Sequence, residues 1–192
     1  MTGNLTAPVE HCGDWTLRDF AEHLGQGNLW ASTAIVEGHG DHQSAPAPAD
    51  IGPWFASTVQ ILTDALAAHP AAEAWTFYPP HTVDFWRRRR CLETLVHRWD
   101  AEHALGIAST LDPLLCGDGI AAIVEVLAPR QIQRRRATPP SAAVHFTAID
   151  LDASWVLGPG DPVATLSGTA QELPVSAVGS APHALEPGYR RR

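Results

Sequence analysis

Apolar residues recur at helical spacing over four stretches of the chain and then give way to alternation. The first stretch is Trp15 to Glu37, where Leu17, Phe20, Leu24, Trp30 and Ala34 line one face. Asp14 or Thr16 can cap it, and Thr16 with Asp19 three residues later has the form of a capping box. Gly38 stops the pattern, and the Pro-, Gly-, His- and Asp-rich segment His39 to Ala49 is a loop. A second helix is predicted from Ile51 to Ala68, with Asp50 as its cap and Phe55, Val59, Leu62 and Leu66 as its stripe. The connector His69 to Pro80 is broken by three prolines. A third helix, capped by Thr82 or Asp84, runs from Phe85 to Leu105 and ends at Gly106. Asp112-Pro113 opens a fourth, carrying Leu114, Ile120, Ile123, Val124 and Leu127 before Pro129.

Beyond Arg136 the texture changes. Thr138-Pro139-Pro140 reads as a linker, and three short strands follow: Ala143 to Ile149, Ser154 to Leu157 after a turn at Asp150 to Asp152, and Val163 to Leu166. Gly168 to Leu173 is expected to be a short helix, and Pro174 onward carries no assignable pattern. The expected fold class is therefore mainly α. A helical domain over residues 1–136 is followed by a small, incomplete α/β domain over residues 141–192.

Composition narrows the chemistry. All thirteen basic residues among the 192 are arginine, which excludes a Schiff-base lysine, a Walker-type phosphate lysine and pyridoxal chemistry. Ten of the thirteen lie in three runs, Arg87 to Arg90, Arg134 to Arg136 and Arg190 to Arg192, which read first as solvated faces or tails. Nucleic-acid binding through these runs would fall steeply with salt, and the net charge of −8 speaks against it. No window approaches a membrane span, and the first residues lack the basic-then-apolar order of a secretion signal. Three cysteines (Cys12, Cys91 and Cys116) without a CxxC pair fit a reduced, cytoplasmic protein.

The third helix holds the residues best suited to chemistry. Glu93 and His97, four apart, are separated by roughly 40° of rotation and about 6 Å of rise, so both can face one ion. Asp100, three residues on, is placed to hydrogen-bond a ring nitrogen of His97. A third ligand has to come from another helix, and His23, within Glu22-His23-Leu24-Gly25, is the candidate. A His/Glu/His set suits Zn²⁺ with at least one position open. The same spacing also occurs in ordinary helical pairs, where it is worth a few tenths of a kcal/mol. The other eight histidines, His11, His39, His42, His69, His81, His103, His145 and His183, fall mostly in loops or exposed settings. Cys91, off the face of Glu93, looks like ordinary helix packing.

Two segments carry a resemblance. His11-Cys12-Gly13-Asp14-Trp15-Thr16-Leu17-Arg18-Asp19-Phe20, running into Glu22-His23-Leu24-Gly25, is similar to the opening motif of the mycothiol-dependent maleylpyruvate isomerase family. Cys91 to Glu102, which includes Glu93, His97, Arg98, Trp99 and Asp100, resembles that family's second motif. A third likeness lies at Leu111 to Leu114 through Asp118 to Ile120, followed by Glu125-Val126, and a weaker fourth at Asp150 to Leu157 with Gly168 to Leu173, so that the whole covers roughly residues 8 to 173. The family belongs to the DinB-like superfamily of metal-binding helical bundles.

The resemblance implies His23, Glu93 and His97 as metal ligands, Zn²⁺ or another divalent ion as the metal, and mycothiol as a thiol cofactor. It further implies an actinobacterial isomerase or S-transferase acting on a small electrophile such as maleylpyruvate. Asp100 would orient His97, and Arg90 and Arg98 are candidates for contacts to the thiol or an anionic substrate. Departures are Gly13-Asp14 in place of Pro-Gly, a first helix that looks short or missing, and a tail from Pro174 to Arg192 unlike the family's. A partner or a homodimer could supply the helix. A non-catalytic helical binding domain that keeps the metal-binding fold is the competing expectation.

Overall fold

The computed structural model describes residues 4–10 and 12–173. They form helices α1 (Leu17–Val36), α2 (Ile51–Leu66), α3 (Val83–Ala104), α4 (Pro113–Ala122) and α5 (Ala128–Gln133), with strands β1 (Ala143–Ala148), β2 (Ala153–Leu157) and β3 (Pro162–Gly168). The fold is mainly α with a small sheet after the helices, as the hydrophobic pattern predicts. The chain groups into two units that meet between Ile107 and Ala108, so α4 and α5 cluster with the strands.

In the first unit the helix ends follow local chemistry. The Thr16 side chain accepts from the Asp19 amide, while the Asp19 carboxylate accepts from the Thr16 amide at 2.9 Å, closing the capping box at the start of α1. At the end of α3, Gly106 takes the left-handed conformation (φ 68°). Its amide donates to the carbonyl of His103 and that of Ile107 to Glu102, the paired bonds of a Schellman stop. Asp50 and Thr82 occupy the cap positions of α2 and α3 without a side-chain capping bond.

Two apolar clusters hold the three helices. Trp30, Ala31 and Ala34 of α1 pack with Leu62 of α2, Ala74, and Val83 and Trp86 of α3, with Trp75, Phe77 and Phe85 against them. At the other end of α1, Ala7, Val9, Cys12 and Trp15 gather around Leu17 and Phe20 and meet Ala101 and Ala104 of α3. The segment before α1 is thus not helical. It folds back, with the amides of Leu17 and Arg18 donating to the carbonyls of Ala7 and Leu5. The buried face of α2 is Ile51, Thr58, Leu62 and Ala65, whereas Val59 of the expected stripe is 41% exposed. Thr58 tolerates burial because its hydroxyl donates to Phe55 in its own helix and accepts from Asn28 of α1.

In the second unit, Asp112 caps α4 by accepting from the amides of Leu114 and Leu115. The helical path does not stop before Pro129, contrary to expectation. A π-helical turn over Ile123–Leu127 links α4 to α5, and this wider turn sits where the proline ring would meet the carbonyl one turn back. The sheet order is β2-β1-β3, with β1 antiparallel to β2 and parallel to β3. The expected helix at Gly168–Leu173 is a hydrogen-bonded turn instead, in which Thr169 and Glu172 bond each other. Among the described residues no helix is long and apolar enough to cross a membrane.

Candidate metal centre

The first and third helices lie antiparallel, so residues whose numbers rise along one meet residues whose numbers fall along the other. Trp30 packs beside Trp86, Asn28 bonds Arg90, and His23 reaches Glu93 and His97. His23, Glu93 and His97 are all buried, and a nitrogen or oxygen of each lies within 4.8 Å of those of the others. The Nε2 of His97 is 3.0 Å from Oε1 of Glu93, and the Nε2 of His23 is 3.5 Å from that same oxygen. One carboxylate oxygen therefore faces both imidazoles.

The surroundings fix these groups. Nδ1 of His97 lies 3.2 Å from Oδ2 of Asp100, which settles the ring's orientation and turns Nε2 toward Glu93. Asp100 thus stands where the helical spacing predicts. The Phe20 ring meets the His97 ring edge-on at 4.8 Å, the Trp15 indole lies 5.2 Å from the His23 ring, and the two imidazoles are themselves 5.2 Å apart. A buried, oriented His/Glu/His set backed by a second carboxylate fits a divalent metal.

The electrostatics follow from burial and pairing. Burial would raise the Glu93 carboxyl, but the Arg89 guanidinium and hydrogen bonds from His23 and His97 outweigh it and hold the group well below its ordinary range. Burial would lower His97, yet hydrogen bonds to Asp100 and Glu93 and their charges push it up to about 9. Cys12, buried beneath this end of α1, is pushed up to about 11 by desolvation and by the Asp100 charge. In the metal-free chain it stands as a neutral thiol.

The run Arg134 to Arg136 is exposed, as expected, but the run Arg87 to Arg90 is not a solvated face. Arg87 donates to the carbonyls of Leu66 and Ala68, capping the C-terminal end of α2. Arg89 pairs with Oε2 of Glu93. Arg90 is 2% exposed and ties α3 to α1 by donating to the Leu24 carbonyl (3.2 Å) and to Oδ1 of Asn28 (3.0 Å). Gly27 makes room for it, since a β-carbon there would stand 2.5 Å from the Arg90 guanidinium. Arg98 is about half exposed and pairs with Glu102 on its own helix. Arg89 was the residue hidden from sequence reasoning, and its i,i+4 spacing to Glu93 was the available signal. Cys91 is exposed rather than packed. His11, His183 and the run Arg190 to Arg192 lie outside the described residues.

Comparison with known families finds that the mycothiol maleylpyruvate isomerase N-terminal domain matches residues 2–102, just over half of the chain. This span contains α1, α2 and the part of α3 that carries Glu93, His97 and Asp100. No curated protein and no solved structure matches the chain.

Proposed function

The chain belongs to the mycothiol maleylpyruvate isomerase family, and from that premise we propose that it is a zinc-dependent, mycothiol-using isomerase or S-transferase for a small maleylpyruvate-like electrophile. The observation that carries this reading is the convergence of His23, Glu93 and His97, with Asp100 behind His97, inside the matched domain. His23, Oε1 of Glu93 and Nε2 of His97 would hold the metal, and Asp100 would keep the His97 tautomer that presents Nε2. A bound divalent ion supplies positive charge that favours the thiolate form of a thiol at neutral pH.

The chain's own contribution is placement and exclusion of water. Trp15 and Phe20, both buried, wall the imidazoles on one side and lower the local dielectric. Bringing the thiol and the electrophile to one centre converts a bimolecular encounter into an oriented one. Addition of a thiolate to the cis alkene, rotation about the resulting single bond and loss of the thiolate would complete an isomerisation. Retention of the new carbon–sulfur bond, with a proton taken up from water at the neighbouring carbon, would complete a transfer. The three free cysteines fit a reducing, cytoplasmic setting.

The test is zinc content and mycothiol affinity measured on one purified sample, repeated for His97→Ala. Near-stoichiometric zinc in the parent and its loss in the variant are expected; full zinc in the variant would overturn the ligand set. Incubation with mycothiol and a panel of electrophilic alkenes then separates the readings. Isomerised product or thiol consumption supports the enzyme, and zinc binding with neither supports a binding domain.

A further inference from the structure

We infer that Arg89 is a positioning residue that confines Glu93 to a single donor oxygen. The inference rests on the metal-binding reading above and adds to it which atoms of the carboxylate are available. The two oxygens of Glu93 have divided roles. Oε1 faces Nε2 of His97 at 3.0 Å and Nε2 of His23 at 3.5 Å, whereas Oε2 is held by the Arg89 guanidinium. Both partners are withdrawn from solvent, with the Arg89 side chain 10% and the Glu93 side chain 4% exposed. Their attraction is therefore screened far less than that of a surface pair. Arg89 precedes Glu93 by one turn of α3, so the helix itself fixes the approach.

A carboxylate with both oxygens free can grip a divalent ion with two donors. One whose second oxygen is already paired with a guanidinium offers one. With His23 and His97, Glu93 then presents three donors rather than four, which leaves room at the ion for a thiol sulfur. The guanidinium suits this task because it stays charged and offers no acceptor or donor pair to the metal. In a chain without lysine, arginine is the only fixed cation that could do it.

Infrared difference spectra of protein carrying ¹³C-carboxyl glutamate, with Zn²⁺ minus without, read the carboxylate directly. A one-oxygen carboxylate shows a wide separation of its antisymmetric and symmetric stretches, and a two-oxygen carboxylate a narrow one. The wild type is expected to show the wide separation, Arg89→Gln the narrow one, and Arg89→Lys the wide one again. A narrow separation in the wild type overturns the inference without any variant, and so does an unchanged spectrum in folded Arg89→Gln. If Zn²⁺ shifts no glutamate band in the wild type, the metal-binding reading fails and the inference falls with it; a zinc-dependent shift that ignores Arg89 removes the inference alone.

Discussion

The two ends of the α1–α3 pairing are built on opposite principles. At one end Trp30, Trp75, Phe77, Phe85 and Trp86 interlock through edge-to-face and stacked contacts, with ring centroids 4.9 to 6.0 Å apart. At the other, His23, Glu93, His97 and Asp100 are buried about as deeply as Trp30 and Trp86, though each would be better solvated outside. Apolar burial at the first end favours the folded chain outright. Burying charges at the second gains little net stability even when they are paired, and breaking one pair strands its partner. A tryptophan cluster that supplies cohesion about two to three turns away along the helices separates holding the fold from forming the candidate metal centre. Arg90 stands between the two ends and belongs to the holding part, since its bonds go to Leu24 and Asn28.

The comparison can be broken most forcefully at the aromatic end. Trp86→Ala is expected to cost about 3–5 kcal/mol in urea unfolding, with or without zinc. At the other end, zinc at a hundredfold above its Kd should add roughly 2.7 kcal/mol to the wild type. His97→Ala should abolish that increment, so equal zinc stabilisation of the two proteins would erase the contrast. Arg90→Met tests the divider. It leaves the Leu24 carbonyl and Asn28 without this donor, for about 1–3 kcal/mol lost in thermal or chemical unfolding, while zinc stoichiometry stays at the wild-type value.

A further contrast lies in pH. His97 is raised to about 9 in the folded, metal-free chain from an ordinary 6.5, so its contribution to stability is complete below 6.5 and disappears as pH rises through about 9. Glu93 is lowered, so its contribution is present above its ordinary 4.5 and is lost as pH falls through its depressed value. Unfolding of the metal-free protein across pH 6 to 8, below the range in which the buried thiols add their own decline, should therefore show a fall in stability that His97→Gln flattens and Trp86→Phe leaves intact. The smallest effect belongs to the capping box: Thr16→Ala is expected to cost about 1 kcal/mol, read by thermal unfolding.

Much of this arrangement was written locally in the chain. Thr16 and Asp19, Asp112-Pro113 and Gly106 announce helix ends through neighbours three residues away or fewer, and the structure places those ends accordingly. Glu93, His97 and Asp100 share a face because helical periodicity alone puts them there. His23 lies on a separate helix, so spacing within α3 could only call for a third ligand from elsewhere; His23 was the candidate, and the likeness of two motifs supported it. What stayed hidden was direction. Arg87, Arg89 and Arg90 are nearly consecutive, yet successive helical residues turn by about 100°. One therefore reaches the end of α2, one the carboxylate of Glu93 and one the backbone of α1. A row of identical charges gives no hint of these separate destinations. The continuation through Pro129 was hidden for a related reason: a π-helical turn relieves the clash, and no residue type marks it.

Cys12 carries a consequence for durability. A site that takes electrophilic alkenes, as proposed above, would expose a nearby thiol to alkylation. With that thiol pushed up to about 11, it stays protonated at neutral pH, and the thiolate is the form that attacks. Burial, with the carboxylate that steadies His97 adding to it, thus keeps the protein's own sulfur in its unreactive form, and the exposed Cys91 is left as the thiol open to adventitious damage.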